Sequence, residues 1–341
     1  MFNNYSKILF LSTLVTGTLI TLSSTSWISA WMGLEINLLS FIPLMNNSNN
    51  LMSAETALKY FLTQAIASSI FFLATILSAM KMNPAIDLHY HFPNLLISVS
   101  LMIKMGAAPF HFWFPNIIEG LTWTNSLILM IWQKIAPLIL ISYIFNMNFL
   151  IYFIITSALV GALGGLNQTS LRKLMAFSSI NHMSWMLMAM QESNKSWMIY
   201  FLFYSFLSTA VILLFNYFKL SQLNQLFSMF SNSNILKFSF FINLLSMGGL
   251  PPFFGFFPKW MVIQNLLLTH QMFMTFLLIS SSLITLFFYL RICYSAFMIG
   301  TTEMNWNYFS QFNKTLINYT TLFTFTSIMG MPLITLIYIY L

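Results

Sequence analysis

Four ionisable side chains stand within strongly apolar stretches of the sequence. Glu35 lies in the segment 31–37, and Lys104, Lys134 and Lys259 lie in three later segments. A charge at the centre of a bilayer costs about 2.5–3.5 kcal/mol even on a lenient insertion scale. We therefore expect these residues to pair or to share internal water. One carboxylate and three lysines suit proton uptake and release, because removal from water destabilises the charged form of a lysine. The alternative is a static buried ion pair with lysines that extend to the membrane interface.

Two of these lysines stand beside helix-breaking sequence. Lys104 precedes a run of small residues that ends in proline, and Lys259 follows a second such run. Proline and glycine interrupt the helical hydrogen bonds, and an unwound backbone is tolerated at membrane depth only where it is buried in protein or lines a cavity. Paired interruptions in the two halves of a chain are typical of inverted-repeat transporters. The residues predicted to interrupt the helices are Gly106 and Pro109 in the first half and Gly248, Gly249, Pro251 and Pro252 in the second.

The composition places this chain in a membrane. Of its 341 residues, 58% are hydrophobic and 6% are charged, and the mean hydropathy is +0.80. Soluble domains carry roughly 25% charged residues. The net charge of +7 comes from cations scattered between apolar segments rather than from a basic cluster, which argues against nucleic acid as a partner. The single cysteine, Cys293, excludes an internal disulfide and a cysteine-based metal site, and we expect it to contact lipid or pack in the protein.

Apolar runs of about 20 residues predict about eleven transmembrane helices in one domain, residues 1–341. The fold class is therefore an all-α polytopic membrane protein. The predicted spans are 7–24, 27–45, 56–80, 94–120, 124–145, 149–167, 174–190, 196–218, 236–269, 273–298 and 317–340, and the fourth and ninth are the broken ones.

The loop cations predict an orientation. With eleven spans, eight cations fall on the N-terminal side and two fall on the opposite side. Cytoplasmic or matrix loops carry the excess of lysine and arginine, so the N-terminus should face the negative side. The eight are Lys7, Lys59, Arg172, Lys173, Lys219, Lys237, Arg291 and Lys314, and the two are Lys81 and Lys195.

Histidines offer further candidates for proton transfer. His182 stands among serines and an asparagine in the seventh span, and His111 follows the first break. Each is predicted either to relay protons or to hydrogen-bond within polar packing. His89 and His91 lie two residues apart without a nearby cluster of carboxylates or thiols, so we expect no metal site there, and their role stays open.

Three stretches carry a resemblance to a known family. Residues 104–113, 168–183 and 248–260 resemble the chain 2 family of mitochondrial NADH:ubiquinone oxidoreductase, the respiratory complex I. The resemblance extends over nearly the whole chain. The abundance of phenylalanine and methionine, 37 and 25 residues, is typical of AT-rich insect mitochondrial genes.

The resemblance implies one of the antiporter-like, inverted-repeat units of the membrane arm. It implies a subunit of a proton-translocating NADH:ubiquinone reductase, multi-pass in the mitochondrial inner membrane. The N-terminus would lie in the matrix and the C-terminus towards the intermembrane space. By the family pattern Glu35 and Lys104 form a pair, Lys134 is the central lysine and Lys259 the last one on a proton path. No cofactor is expected in this chain, since FMN, iron–sulfur clusters and ubiquinone belong to other subunits. Neighbouring antiporter-like and small membrane subunits, and lipids such as cardiolipin, are the implied partners.

Three other functions compete with proton pumping. A free-standing cation/proton antiporter would need more intramembrane carboxylates than Glu35 to bind sodium. A non-pumping scaffold of the membrane arm could keep its helices but would not need buried lysines. A quinone-binding subunit is disfavoured because no pocket motif stands out.

Overall fold

The computed structural model describes residues 5–46, 50–80, 88–144, 147–191, 193–229, 234–298, 321–330 and 332. Within these ranges the regular structure is helical, and an isolated antiparallel bridge joins Ser170 to Gln222. The helices are α1 Tyr5–Ser23, α2 Trp27–Met45, α3 Leu51–Ala79, α4 Leu88–Met105, α5 Trp113–Gly120, α6 Trp123–Met130, α7 Trp132–Tyr143, α8 Met147–Gly165, α9 Leu171–Ala189, α10 Asn194–Phe218, α11 Leu223–Met229, α12 Asn234–Gly248, α13 Phe256–Leu268, α14 Met272–Met298 and α15 Thr321–Gly330.

The helices follow the predicted spans closely. Six stretches in the described ranges are long and apolar enough to cross a membrane: Tyr5–Ser23, Trp27–Met45, Leu51–Ala79, Trp123–Tyr143, Asn194–Phe218 and Met272–Tyr294. The third begins at Leu51 rather than at residue 56, and the fifth divides into α6 and α7. The short helix α11 was not predicted. Most of the predicted span 317–340 lies outside the described residues, so the total of eleven spans stays a prediction.

The chain divides into two compact units, Met1–Phe153 and Ile154–Leu341. In the first unit, α1 packs on α2 with almost no space between the backbones. A Cβ atom added to Gly33 would lie 2.9 Å from the carbonyl oxygen of Gly17, and one added to Gly17 would lie 3.0 Å from the amide nitrogen of Asn37. Small residues allow such close approach between membrane helices. Helices α3, α4, α5, α6 and α7 complete this unit.

The second unit is built around α9. Every residue of α9 except Arg172 and Lys173 is buried, although the helix carries several hydroxyls, an asparagine and a histidine. Helices α10, α13 and α14 contact it. A polar helix at the centre of an apolar unit is where polar and ionisable side chains of a membrane protein are expected, because they face the protein interior rather than lipid.

A shared backbone contact appears in both units. Twenty residues separate Gly17 from Asn37, and twenty separate Gly161 from Asn181. A Cβ atom on Gly161 would lie 2.6 Å from the amide nitrogen of Asn181, as one on Gly17 would crowd that of Asn37. The same contact between a glycine and an asparagine therefore occurs near the start of each unit, as expected if the two units arose from one repeated arrangement.

Candidate functional site

The first helix break lies between α4 and α5. Gly106 has a φ of 71°, and its amide donates to the carbonyl of Ile103 at 3.1 Å while the amide of Ala107 donates to that of Met102 at 3.1 Å. These two bonds close the end of a helix around a left-handed residue, a conformation that favours glycine. The chain then turns through seven residues before α5 begins at Trp113.

The second break repeats this geometry. Gly249 has a φ of 80°, its amide donates to the carbonyl of Ser246 at 3.0 Å, and the amide of Leu250 donates to the carbonyl of Leu245 at 3.5 Å. Helix α12 ends at Gly248, so Gly248 belongs to the helix and Gly249 begins the break.

The two breaks share their length and their proline positions. Seven residues, 106–112 and 249–255, separate the paired helices in both units. Counting each left-handed glycine as the first residue, prolines occupy the fourth and tenth positions in both, as Pro109 and Pro115 and as Pro252 and Pro258. The repeated interruption predicted from sequence is present, and its match is closer than the overall residue similarity of the two halves suggests.

Lys104 lies on the last turn of α4, just before the first break. Lys104 is 7% exposed, and its backbone carbonyl accepts a hydrogen bond from Nε2 of Gln64 at 3.4 Å. Glu35 of α2 is the charged group that acts on it electrostatically. The two side chains do not form a direct ion pair, and among the described residues such a pair joins Lys59 and Glu55 on the exposed surface of α3.

Glu35 itself is half-buried. Its Oε2 atom is enclosed and has no hydrogen-bond partner among the described residues. The predicted Glu35–Lys104 pair is thus a pair at a distance rather than a closed salt bridge. An enclosed carboxylate oxygen near a buried amine is the arrangement that an internal water molecule bridges well.

Lys134 lies deeper than either of these residues. It is 2% exposed, and its Nζ stands 5.2 Å from the centroid of the Phe114 ring. That ring belongs to α5, directly after the first break, and a Cβ atom on Gly106 would lie 3.0 Å from the Cβ of Phe114. The break therefore fixes the ring that faces Lys134. A cation over a buried ring gains about 0.5–2 kcal/mol.

An interruption that the sequence analysis missed lies beside Lys134. Helix α6 ends at Met130 and α7 begins at Trp132, with Ile131 at φ −109° and ψ −65°. The amide of Lys134 bonds to the carbonyl of Ile131 at 3.2 Å, three residues back instead of four. Pro137, which lacks an amide hydrogen, follows in the next turn and was the available signal for an irregular helix here.

A side-chain bond ties the Lys134 segment to the helix that carries Glu35. Nε2 of Gln133 donates to Oδ1 of Asn37 at 3.0 Å. Asn37 is also the residue whose backbone Gly17 contacts. The first unit therefore holds Glu35, Lys104 and Lys134. Lys134 lies against α5, and its neighbour Gln133 is bonded to the helix that carries Glu35.

Lys259 is held by the second break. It is 5% exposed, and its Nζ donates to the carbonyl of Gly248 at 2.8 Å. A Cβ atom on Gly249 would lie 2.9 Å from that Nζ. Because helix C-termini carry free carbonyls and a partial negative charge, a lysine ammonium is well placed there.

The last described helix, α15, closes over this break. The amide of Phe254 donates to the carbonyl of Ser327 at 3.0 Å, and Gly330 leaves room for the Phe254 ring. Phe203 and Phe206 of α10 pack on the same ring, with centroid distances of 4.4 and 5.7 Å. An amide freed by the break is thereby satisfied inside the protein, as membrane depth requires.

The two candidate histidines have different surroundings. Nδ1 of His182 lies 3.0 Å from the hydroxyl of Tyr200, and its ring centroid lies 5.1 Å from that of Tyr204. His111 lies inside the first break, where its Nδ1 is 3.2 Å from the carbonyl oxygen of Pro109 and its ring packs at a tilt against that of Phe112, with the centroids 4.3 Å apart. His182 thus faces buried hydroxyls, while these contacts of His111 stay within its own break. Sequence reasoning did not find the tyrosines, since a tyrosine in an apolar span carries no signal of its own.

A small cavity lies beside α13, further along the helix than Lys259. Lys259, Val262 and Leu266 share the buried side of α13. The cavity measures about 20 Å³ and is lined by Met188, Ala189, Gln191, Val262, Asn265, Leu266 and Thr269. A single water molecule needs about 10–15 Å³. One water can therefore lie between the ends of α9 and α13, beside polar side chains.

Among the described residues, no three His, Cys, Asp or Glu side chains gather where they could hold a metal ion. The side chains of His89 and His91 are not among those that the structure describes. Cys293 is buried in α14.

Comparisons with known proteins agree on one family. Residues 24–285 match the family model described as NADH:quinone oxidoreductase/Mrp antiporter, and residues 286–338 match NADH dehydrogenase subunit 2 C-terminus. The NADH-ubiquinone oxidoreductase chain 2 of Anopheles gambiae is 54% identical over 335 residues, with 98% of each chain covered. That of Aedes aegypti is 55% identical over 340 residues and covers 98% of this chain and 99% of its own.

Solved structures share the fold at lower identity. A chain of respiratory complex I from Thermus thermophilus superposes with a TM-score of 0.83 at 22% identity, over 97% of this chain and 79% of that one. A chain of the Mrp complex from Dietzia sp. gives a TM-score of 0.74 at 17% identity, over 84% and 59%. The match to the family models over most of the chain and the identity to the insect proteins over 98% of it lead to one conclusion: the chain belongs to the NADH-ubiquinone oxidoreductase chain 2 family.

Proposed function

We propose that this chain is a proton-translocating membrane-arm subunit of the mitochondrial respiratory complex I. One observation carries the proposal: each of the three lysines that are buried in the described part of the chain lies at an interruption of a helix. Lys104 precedes the first break, Lys134 follows the irregular turn at Ile131, and Lys259 bonds to the carbonyl end of α12. Interrupted helices supply free backbone groups and room for water, which a lysine needs in order to gain and lose a proton at membrane depth.

Glu35 acts in this scheme through its field. At an effective dielectric constant of about 20, two unit charges about 4 Å apart interact by about 4 kcal/mol, and the energy falls to about half of this when the separation doubles. Moving one charge across 100 mV costs about 2.3 kcal/mol. A change in the charge state near Glu35 is therefore large enough to drive protonation or release at Lys104, and in turn at Lys134.

The contacts of Lys259 couple its proton to the backbone. As an ammonium it makes a charge-assisted bond to the Gly248 carbonyl. As a neutral amine it keeps only the weaker bond, and the break loses part of its support. We propose that the cavity between α9 and α13 offers a water site on the way from this lysine to the surface at the end of α13.

The assembly and orientation follow the same proposal. The fold is an antiporter-like inverted repeat of about eleven spans, with the N-terminus in the matrix and the C-terminus towards the intermembrane space. Large apolar side chains exposed on α3 and α14, such as Leu62, Ile66, Phe276 and Phe287, provide surfaces for neighbouring antiporter-like and small subunits or for lipids such as cardiolipin. NADH oxidation and ubiquinone reduction, with FMN and the iron–sulfur clusters, take place in other subunits.

The test is proton pumping per NADH oxidised by the assembled complex in sealed vesicles. We expect Lys134→Met to lower turnover or pumping with normal assembly, because the side chain keeps its volume but loses the proton-carrying amine. Lys195→Met, at an exposed position near the start of α10, is the matched control and should have no effect. Normal pumping with Lys134→Met would contradict the proposal and favour a non-pumping scaffold.

A further inference from the structure

A side-chain hydrogen bond joins the first turn of α7 to α2. Nε2 of Gln133 donates to Oδ1 of Asn37 at 3.0 Å, and Asn37 is only 3% exposed. Loss of the donor would leave a buried amide oxygen unsatisfied, which is costly. Gln133 directly precedes Lys134 in the same turn. Whatever moves this turn therefore also moves the lysine.

The start of α7 lacks the usual support of a helix end. Ile131 occupies the N-cap position, and in the described structure no side-chain hydrogen bond caps the helix there. The amide of Lys134 reaches back only three residues, to the carbonyl of Ile131 at 3.2 Å. Helix ends without a capping side chain are less stable than capped ones. A side-chain bond to a neighbouring helix is therefore well placed to fix this turn.

Helix α2 is a firm anchor for that bond. A Cβ atom on Gly17 of α1 would lie 3.0 Å from the amide nitrogen of Asn37, and one on Gly33 would lie 2.9 Å from the carbonyl oxygen of Gly17. Backbones packed this closely leave α2 little freedom to shift. Glu35 lies between Gly33 and Asn37 on this stretch of α2. The bond thus holds Lys134 relative to the helix segment that carries the carboxylate.

The second unit contains an equivalent contact without a lysine. Asn181 corresponds to Asn37, since each follows by 20 residues the glycine that its backbone contacts. Nδ2 of Asn181 donates to Oγ1 of Thr285 at 3.5 Å, and Oγ of Ser281 donates to its Oδ1 at 3.3 Å. In both units the asparagine thus bonds to the helix that follows the broken pair. Helix α14, however, carries no lysine, and both of its bonds are longer than the bond from Gln133.

We propose that Gln133 and Asn37 are positioning residues for Lys134. Their bond holds the first turn of α7 on α2, and thereby sets where the lysine lies relative to Glu35 and to the ring of Phe114, 5.2 Å from its Nζ. Neither amide gains or loses a proton in this role. It rests on the proposed function of Lys134.

The test measures NADH-coupled pumping by the assembled complex in sealed vesicles, with Gln133→Met or Asn37→Leu. Each variant nearly keeps the size of the side chain but cannot form the bond. We expect pumping to fall by about tenfold, since a displacement of about 1 Å can cost on the order of 10²-fold in rate. The exchanged pair, Asn37→Gln together with Gln133→Asn, keeps an amide on each helix and the same combined reach, and should restore most of the pumping.

Thr285→Val is the matched control. It keeps the shape of the side chain and removes the acceptor of the equivalent asparagine, on a helix that carries no lysine. Pumping and the amount of assembled complex should both stay normal in this variant. A loss confined to the first unit would tie the effect to Lys134 rather than to helix packing in general.

Three outcomes contradict these expectations. Normal pumping with Gln133→Met and Asn37→Leu, while Lys134→Met lowers it, would refute the positioning role and leave the proposed function standing. Equal losses with Thr285→Val, or no recovery in the exchanged pair, would assign the bonds a packing role only. Normal pumping with Lys134→Met would instead contradict the proposed function itself. If one single variant does not assemble, the other one, which breaks the same bond, decides.

Discussion

At the scale of single residues, the separation between Glu35 and Lys104 matters more than their opposite charges. A closed buried ion pair resists change, because breaking it leaves two uncompensated charges. Here the carboxylate has an enclosed oxygen without a described partner, and the two groups interact only through their field. Such a pair can change its protonation state without tearing apart a packed contact, as proton transfer requires.

We therefore expect Glu35→Gln to leave assembly intact and to lower NADH-coupled pumping severalfold. The amide keeps the shape of the side chain but removes the charge that acts on Lys104. The measurement is pumping per NADH oxidised, with the amount of assembled complex determined in parallel. Glu55→Gln is the control, since its pair with Lys59 is exposed, and surface pairs contribute about 0–1 kcal/mol. Equal effects of the two substitutions would show that the buried position of Glu35 has no special role.

At the scale of elements, the helix break is the repeated unit. Both breaks begin at a left-handed glycine and resume helix after seven residues. The first places Phe114 against Lys134, and the second presents a carbonyl to Lys259. The lysines themselves are not repeated. Met247 occupies the position at the second break that corresponds to Lys104, and Asn116 occupies the position at the first break that corresponds to Lys259. The backbone device is shared, while each unit uses it for a different side chain.

Two adjacent glycines test this idea. Gly249→Ala would force a side chain into φ 80° and place its Cβ 2.9 Å from Nζ of Lys259. We expect about 1–2 kcal/mol of local strain, a displaced lysine and reduced pumping. Gly248→Ala is the matched control, because Gly248 is helical and its added Cβ would meet its nearest neighbour at an ordinary 3.6 Å. Pumping and assembly of both variants are measured. Similar activity in the two would show that pumping does not depend on the position in which Gly249 allows Lys259 to lie.

At the scale of the whole molecule, the orientation decides the direction of proton flow. The proposed arrangement places the start of α10 on the intermembrane side and its end on the matrix side. Both positions carry exposed lysines, Lys195 and Lys219. The one native cysteine, Cys293, is buried, so the chain offers a low background for thiol labelling.

We expect Lys195→Cys in the assembled complex to react with a membrane-impermeant maleimide added to mitochondria stripped of their outer membrane. Lys219→Cys should react only after the inner membrane is opened. The unsubstituted chain, with Cys293 6% exposed, is the control for background labelling. The reverse pattern would invert the orientation and with it the direction assigned to the cavity near Lys259.

Much of the site could be predicted from the sequence because its signals are local. A lysine in an apolar run, a left-handed glycine and a proline without an amide hydrogen each act within one or two turns. The lysines, both breaks and their pairing followed from such signals. The interruption at Ile131 did not, because proline alone marks the region without fixing the residue at which the helix opens.

The sequence by itself determined that this chain is an apolar, helical membrane protein of the chain 2 family with two broken helices and buried lysines. Only the tertiary structure decided the partners of those lysines. Phe114 under Lys134, Gly248 under Lys259 and the hydroxyls around His182 join residues from different helices. The physical reason is that composition and backbone conformation are local properties, whereas the position of a buried polar atom depends on how separate helices pack.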